Sequence, residues 1–246
     1  MKNLKLLIAL TSIVLAISCT NKVETLTIEK ASDYYPMQVG KFVVYKLDST
    51  NYIGFNLNPI ITTYFVKDEV QALITDNLNR PSYRIYRYTK RALTDLTWVP
   101  TSTYFVTPLA NTIEHIENNL RVIKLLNPIK DDNTWKGNSY IESSGQFSQL
   151  QYLFDWDFKY SNTKTPKTYT GTTFAETVTV TQADATDGVL NDPLSYSEKN
   201  YSVEIYAKGT GLVYKDFLHW SYQPPQGSTL GYRIGYGIKL TFVSKN

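Results

Sequence analysis

The chain has 246 residues, of which 25 are basic and 22 are acidic. The formal charge of +3 is small, and the sequence lacks the runs of lysine or arginine that follow nucleic-acid phosphates, so we expect no nucleic-acid partner. A single cysteine excludes a framework of disulfides within the chain.

The amino terminus has the pattern of a secretory signal. Residues 1–5 are short and basic, and Leu6 to Ile17 is apolar except for two hydroxyl residues. These 12 residues are too few for a membrane span, which needs about 20. We therefore predict a cleaved signal peptide over residues 1–18.

The single cysteine makes this signal more specific. Leu15-Ala16-Ile17-Ser18-Cys19 resembles the lipobox of bacterial lipoproteins, in which the cysteine thiol receives a diacylglyceryl group and its new amino group is acylated after cleavage. A thiol is a strong nucleophile, and two or more acyl chains hold a protein stably on a membrane. The resemblance implies that Cys19 is the lipid attachment site and that the membrane is a partner.

Residues 19–32 follow as the lipidated cysteine and a polar, flexible tether. The surface-exported lipoproteins of Bacteroidota have an acid-rich pattern directly after the cysteine, and Thr20 to Glu24 is a poor match to it. We therefore expect a lipid-anchored protein of the cell envelope, at the outer membrane and on its periplasmic face. Removal of Lys2 and Lys5 with the signal leaves 23 basic and 22 acidic residues, a formal charge of +1.

Residues 33–246 have the pattern of one antiparallel β domain. Tyrosine, threonine and valine are frequent, and these types favour pleated sheets. Alternation in residues 82–90 predicts a strand that buries Tyr83 and Ile85 and exposes its basic residues Arg84 and Arg87. We predict an all-β fold of roughly ten strands in a strongly curled sheet, a partly closed barrel or a sandwich, among which periodicity does not choose.

Four further segments give predictions that a structure can test. Residues 112–126 have helix-like spacing, but Asn118-Asn119 suits a two-residue turn, so we predict a hairpin. Residues 149–162 alternate and predict a strand, and Ala183 to Pro193 predicts a loop. Gly235 and Gly237 lie opposite the apolar face of the last strand, where a missing side chain lets another backbone approach.

Three blocks together resemble a known family. They are Tyr35-Pro36 with Gly40, Pro128 followed by Trp135-Lys136-Gly137-Asn138, and Tyr206-Ala207-Lys208-Gly209-Thr210-Gly211-Leu212-Val213. In this order they are similar to blocks in a family of uncharacterised lipoproteins from Bacteroidota. The resemblance implies that nearly all of the mature chain belongs to such a lipoprotein, and it implies no reaction.

Residues that could carry chemistry are few. Asp155 and Asp157 share one face of a predicted strand, where two carboxylates about 7 Å apart suit a glycosidase pair, a calcium site or simply a solvated face. His219, Trp220 and Tyr222 lie in an aromatic stretch and are the candidates for a ligand-facing site. We predict no catalytic residue, no metal site and no cofactor, because the sequence has neither Gly-x-Ser-x-Gly nor His-Glu-x-x-His.

Three functions fit these observations. The first is a non-catalytic binding or scaffold module that engages an envelope protein or a glycan. The second is a carrier of lipid or another apolar ligand inside the curled sheet, which a concave face filled by its own side chains would exclude. The third is a hydrolase that uses Asp155 and Asp157.

Overall fold

The computed structural model describes residues 29–145, 148–190 and 192–246. The predicted signal peptide, Cys19 and most of the predicted tether lie outside the described residues. The described residues form one sheet of twelve antiparallel strands with two short 3-10 helices, Ala31–Asp33 and Gln151–Leu153. The prediction of an all-β antiparallel fold is confirmed, with twelve strands in place of roughly ten. No helix in the described part of the chain is long and apolar enough to cross a membrane.

The strands vary from two to 17 residues in length. In chain order they are β1 (Phe42–Tyr52), β2 (Ile60–Thr75), β3 (Pro81–Lys90), β4 (Val99–Pro108), β5 (Thr112–Glu117), β6 (Leu120–Leu126), β7 (Thr134–Trp135), β8 (Phe158–Tyr169), β9 (Thr172–Gly188), β10 (Ser197–Ala207), β11 (Gly211–Gln223) and β12 (Tyr232–Lys245).

The sheet consists of two meanders joined at the centre. Its order is β6-β5-β4-β3-β2-β1-β12-β11-β10-β9-β8-β7, so the pairing of β1 with β12 joins the meander β1–β6 to the meander β7–β12. The two ends of this order meet again, because the Trp135 indole N–H donates to the Ile123 carbonyl at 2.8 Å and the Ile123 N–H donates to the Gly137 carbonyl at 2.8 Å. The sheet is therefore a nearly closed barrel.

The predicted hairpin at residues 112–126 is confirmed. Strands β5 and β6 pair in antiparallel fashion, with Glu117 opposite Leu120. Asn118 and Asn119 form the turn with φ values of 50° and 63°. Asparagine tolerates this left-handed region better than most residues, which is why the pair favours a turn over a helix.

Two other segment predictions are wrong in part. The strand expected over residues 149–162 begins only at Phe158, because residues 151–153 form a 3-10 helix and Asp155 has a φ of 60°. The loop expected over Ala183 to Pro193 is strand as far as Gly188, which pairs with Ser197 of β10. In the second case the pairing with a neighbouring strand outweighs the polar composition of the segment.

The residues that precede β1 are packed against the barrel from Glu29 onward. The Glu29 carboxylate lies 2.9 Å from the Lys208 ammonium and 3.2 Å from that of Lys164, and Ala31 is buried. The Asp33 carbonyl accepts a hydrogen bond from the Gly209 N–H at 2.8 Å. The end of the predicted tether is thus held in place in the described residues.

An aromatic cluster fills the barrel where its two ends meet, and we call it the aromatic seam. Trp135 of β7 packs on Phe158 and Tyr160 of β8, with ring centroids 5.6 and 4.5 Å apart. The Tyr160 hydroxyl accepts from the Leu126 N–H at 2.7 Å and donates to the Leu126 carbonyl at 2.9 Å. These contacts bring β6 and β8 together without a direct strand pairing.

Gly235 of β12 confirms the predicted close approach of two backbones. Its φ is 153°, and a Cβ at this position would lie 2.1 Å from the His219 carbonyl oxygen. Any side chain here would collide with β11.

Candidate functional site: a charged cavity inside the barrel

The concave face of the sheet lines a partly open cavity of about 600 Å³. Strands β1–β6 and β10–β12 line it, and the segment from Tyr35 to Lys41 crosses it on the way into β1. The Gly40 N–H donates to the Val70 carbonyl at 2.8 Å and the Val70 N–H donates to the Lys41 carbonyl at 2.9 Å, which fixes this segment to β2. The volume lies within the range of pockets for small organic ligands.

The wall of the cavity is largely aliphatic and aromatic. The apolar lining includes Met37, Leu120, Val122, Phe217, Ile238 and Leu240. A second, smaller cavity of about 120 Å³ shares Leu120, Val122 and Phe217 with the first. The side chains of the wall leave the main cavity unfilled. A filled cavity would have excluded the carrier hypothesis.

Three charged side chains on neighbouring parts of the wall form what we call the lysine cluster. The Glu204 carboxylate on β10 lies 2.6 Å from the ammonium of Lys124 on β6 and 3.5 Å from that of Lys215 on β11. Gln182 and the Tyr206 hydroxyl donate to its other oxygen at 2.8 and 2.6 Å. Burial works to raise the pKa of Glu204, but the two lysines and the Tyr206 hydroxyl outweigh it and hold the pKa at about 2.

A second set of charges, the arginine cluster, faces the same cavity. The Arg87 guanidinium on β3 donates two hydrogen bonds of 2.7 Å to the Asp68 carboxylate on β2. It lies 3.5 Å from the Glu117 carboxylate on β5. The Tyr104 hydroxyl also donates to Asp68, at 3.1 Å. The bidentate geometry between Arg87 and Asp68 is the strong form of this ion pair.

The position of Arg87 corrects the expectation for β3. We predicted that its basic residues lie on the wet face, but Arg87 lines the cavity. Arg87 points to the same face of β3 as Tyr83 and Ile85, and this is the inner face of the sheet. Burial works to lower the pKa of Arg87, and the charge of Asp68 raises it well above its usual range.

His115 of β5 connects the second cluster to the amino-terminal segment. Its Nε2 lies 3.4 Å from the Glu117 carboxylate, and its Nδ1 lies 3.4 Å from the Tyr35 hydroxyl. The ring stacks on Tyr104 with centroids 4.5 Å apart. Burial lowers the pKa of His115 below its ordinary value of 6.5. The neutral ring can then donate from Nε2 to Glu117 and accept from Tyr35.

Of the predicted ligand-facing residues, Trp220 and Tyr222 share a buried cluster with Tyr52, and His219 lies apart from them. His219 has the inward parity of Phe217, and its ring stacks on Tyr152 with centroids 4.1 Å apart. Trp220 and Tyr222 have the opposite parity; the Arg233 guanidinium covers Trp220 at 4.3 Å, and the Tyr222 hydroxyl donates to the Pro193 carbonyl at 2.9 Å. None of the three is among the described residues that line the cavity.

Asp155 and Asp157 lie on the surface beside the second 3-10 helix. Their side chains are 69% and 64% exposed, and both carboxylates contact the ammonium of Lys136, at 2.6 and 2.9 Å. This is a solvated ion pair without the enclosure of a glycosidase cleft. In the part of the chain that the structure describes, no group of three or more histidine, cysteine, aspartate or glutamate side chains is arranged to hold a metal ion.

Comparison of the chain with protein-family models finds no match, and comparison with curated proteins finds none either. The resemblance to lipoproteins of Bacteroidota therefore stays a prediction from the sequence blocks. The curled, barrel-like sheet with its cavity is an architecture in which a binding module or a ligand carrier can function.

Proposed function

We propose that the protein is a non-catalytic binding module of the cell envelope that holds a small ligand in the barrel cavity. The observation that carries this proposal is the space of about 600 Å³ on the concave face, with charged side chains along its wall. Charged groups are costly to remove from water, and an apolar core of the same shape would be at least as stable. Their retention around an open space is what recognition of a ligand would require.

Binding accounts for the cavity better than catalysis does. A general base works best with a pKa near the operating pH. Glu204 has a pKa of about 2, and Asp68 accepts three hydrogen bonds from Arg87 and Tyr104. A carboxylate with a pKa as low as that of Glu204 is a poor proton acceptor. Both carboxylates are well suited to hold basic side chains in place around a ligand.

The charges of the wall also restrict the kind of ligand that the carrier hypothesis allows. A purely apolar ligand would leave the six charged side chains of the two clusters without new partners, at a cost in desolvation. A ligand with both apolar and polar parts would contact the aliphatic wall and the clusters at once. We therefore retain the carrier of an amphipathic ligand as the second form of this proposal.

The location is part of the same proposal. We infer that the chain is a lipoprotein, similar to those of Bacteroidota, that is cleaved before Cys19, acylated there and held at the periplasmic face of the outer membrane. Its partners would then be the membrane, through the lipid, and an envelope protein or a glycan. The support for this is the pattern of residues 1–24.

Native mass spectrometry of the protein as it is purified gently from its own host tests the binding function. We expect a discrete additional mass that disappears on denaturation. A clean mass of the protein alone, in preparations that retain the native fold, would contradict the proposal. The proposal that the module is non-catalytic would be contradicted by a different result. That result is conversion of a lysate compound by the protein that is abolished by one side-chain change in the cavity.

Replacement of the cysteine tests the anchor separately. We expect Cys19→Ala to move the protein from the membrane fraction to the soluble fraction, because no acyl chain can be attached. Cys19→Ser is the matched control for size and polarity and should behave in the same way. Retention of both variants in the membrane fraction would show that another anchor is present.

A further inference from the structure

We propose that the cavity ligand is a small zwitterion, whose acid group binds the ammonium of Lys215 and whose own ammonium binds the carboxylate of Glu117. The proposal deepens the binding function above and rests on it. It assigns each end of the ligand to one of the two charged clusters.

Lys215 has unused hydrogen-bonding capacity that faces the cavity. Its one ion pair, with Glu204, is long at 3.5 Å. The oxygen of Glu204 in that pair is already held by Lys124 at 2.6 Å, and the other oxygen accepts from Gln182 and Tyr206. An ammonium has three donors. Within the described residues, no hydrogen bond from Lys215 to the protein is formed, and its side chain lines the cavity.

Glu117 is the corresponding carboxylate in the arginine cluster. Its contacts with Arg87 and His115 are long, at 3.5 and 3.4 Å, whereas Asp68 takes the two short bonds of Arg87. A carboxylate has about four acceptor positions, and 31% of the Glu117 side chain is exposed while it lines the cavity. It can therefore accept further donors from a ligand.

Lys215 and Glu117 form no direct contact with each other in the described residues. Among the described residues no ion pair joins Lys215 to Glu117, although both face the same space and the charge of each stabilises that of the other. The lysine cluster has two cations and one anion, and the arginine cluster has one cation and two anions. An anionic ligand would compensate the first alone and a cationic ligand the second alone. A zwitterion compensates both, and this is the basis of its selection.

The part of the wall near Lys215 also specifies the body of the ligand. Phe217 lies two residues along β11 on the same face, and Leu120 and Val122 line the same cavity from β6. These side chains suit an aliphatic or aromatic body between the two charged ends. The chemistry is shared by free amino acids or short peptides and by the ethanolamine headgroup of a single-chain phospholipid.

Calorimetric titration of the full-length protein with matched probes tests the assignment. The probes are 4-aminobutanoate, 6-aminohexanoate and 8-aminooctanoate, each compared with the carboxylate and the amine of the same length, and lysophosphatidylethanolamine compared with lysophosphatidylglycerol, which keeps the single phosphodiester charge and lacks the ammonium. We expect at least one zwitterion to bind about 10-fold more tightly than its singly charged analogues, which corresponds to about 1.4 kcal/mol. Binding of the free amino acids points to a soluble ligand, and binding of the phospholipid alone points to a lipid headgroup.

Two variants assign the ends of the ligand. Lys215→Met should remove the advantage of the zwitterion over the amine, and Glu117→Gln should remove its advantage over the carboxylate. We expect Lys215→Met to fold, because Glu204 keeps its ion pair with Lys124. Circular dichroism checks the fold, and Lys215→Gln replaces this variant if the fold is lost. Lys239→Met, which removes a lysine paired with Asp216 on the outer face, is the matched control.

Three results would overturn the assignment: equal affinity for zwitterions and their singly charged analogues, no binding of any probe, or unchanged selectivity in both variants. They are distinguishable from failure of the binding function itself. A native ligand of other chemistry in the mass spectrum would leave that function in place and overturn the zwitterion.

Discussion

The aromatic seam and the charged cavity are two regions of one barrel interior, and they use inward-facing positions in opposite ways. At the seam, Trp135, Phe158 and Tyr160 occupy these positions and pack ring against ring. Across the cavity, equivalent positions hold Lys215 and Glu204, which pair along the wall and leave the centre open. The seam closes the sheet, and the cavity keeps part of its interior accessible to a ligand.

The largest expected effect concerns the charge at the centre of the lysine cluster. Glu204→Ala should lower the free energy of unfolding by about 3–5 kcal/mol, because it leaves Lys124 and Lys215 without their shared counter-charge in a buried position. Urea denaturation measures this. Glu176→Ala removes a half-exposed carboxylate paired with Lys208 and should change the value by less than about 1 kcal/mol. Equal effects of the two variants would show that the cavity charges are not structurally coupled.

A comparable or slightly smaller effect is expected at the seam. Trp135→Ala should cost about 3 kcal/mol, because it removes the ring that packs on Phe158 and Tyr160 and the hydrogen bond to Ile123. The affinity for a cavity ligand should stay unchanged, since Trp135 does not line the cavity. Phe154→Ala, at a side chain that is 56% exposed, is the control and should have an effect within about 0.5 kcal/mol. A loss of ligand affinity in Trp135→Ala would contradict the separation of the two regions.

The two regions should also respond differently to pH. Burial lowers the pKa of His115 below 6.5, so as the pH falls through 6.5 the unfolded chain takes up a proton that the folded chain resists, and the free energy of unfolding falls. His219, also lowered by burial, contributes in the same direction. Glu204 causes a second decrease in the free energy of unfolding. This decrease is absent above pH 4.5 and grows as the pH approaches about 2.

Urea midpoints at pH 7.5, 5.5 and 4.0 measure this dependence. His115→Gln should reduce the first decrease, and Trp135→Ala at the seam should leave the shape of the profile unchanged. A constant midpoint between pH 7.5 and pH 5.5 in the native protein would contradict the placement of a neutral histidine in the cavity wall.

The smallest effect is expected outside both regions. Asp155→Asn and Asp157→Asn should leave stability and ligand affinity nearly unchanged, because both carboxylates are solvated and share one exposed lysine. The same two variants test the hydrolase hypothesis. Loss of a measured hydrolytic activity in either variant would revive that hypothesis, and it would place the function on the surface.

Local chemistry in the sequence predicted part of this fold. The turn at Asn118-Asn119, the close approach at Gly235 and the antiparallel β class follow from residue preferences that act over a few positions. The continuation of β9 to Gly188 was missed because the pairing with β10 stabilises a polar segment that has little strand preference of its own.

The charged lining of the cavity was not predicted, for a related reason. Alternation gives the parity of a strand, but a charged residue at an inward position is easily interpreted as facing water, and Arg87 is such a residue. Its partner Asp68 lies 19 residues away, and Lys124 and Glu204 are 80 residues apart. The sequence does contain one signal for a charged cavity. Several strands have charged residues at inward-facing positions, such as Arg87 and Lys215. The curvature of the sheet leaves space between these charges. It depends on how all the strands pair, so the alternation within any one strand does not predict it.

The central position of β12 affects how the chain can fold. Tyr232–Lys245 is the last strand in chain order and the seventh in sheet order, between β1 and β11. Until it is present, two meanders each expose an unpaired edge, which is the kind of surface that associates with other chains. Because this closure joins residues about 200 positions apart, such as Tyr45 and Phe242, we expect slow folding, limited by the pairing of the final strand. A chain shortened by β12 would lose the middle of its sheet.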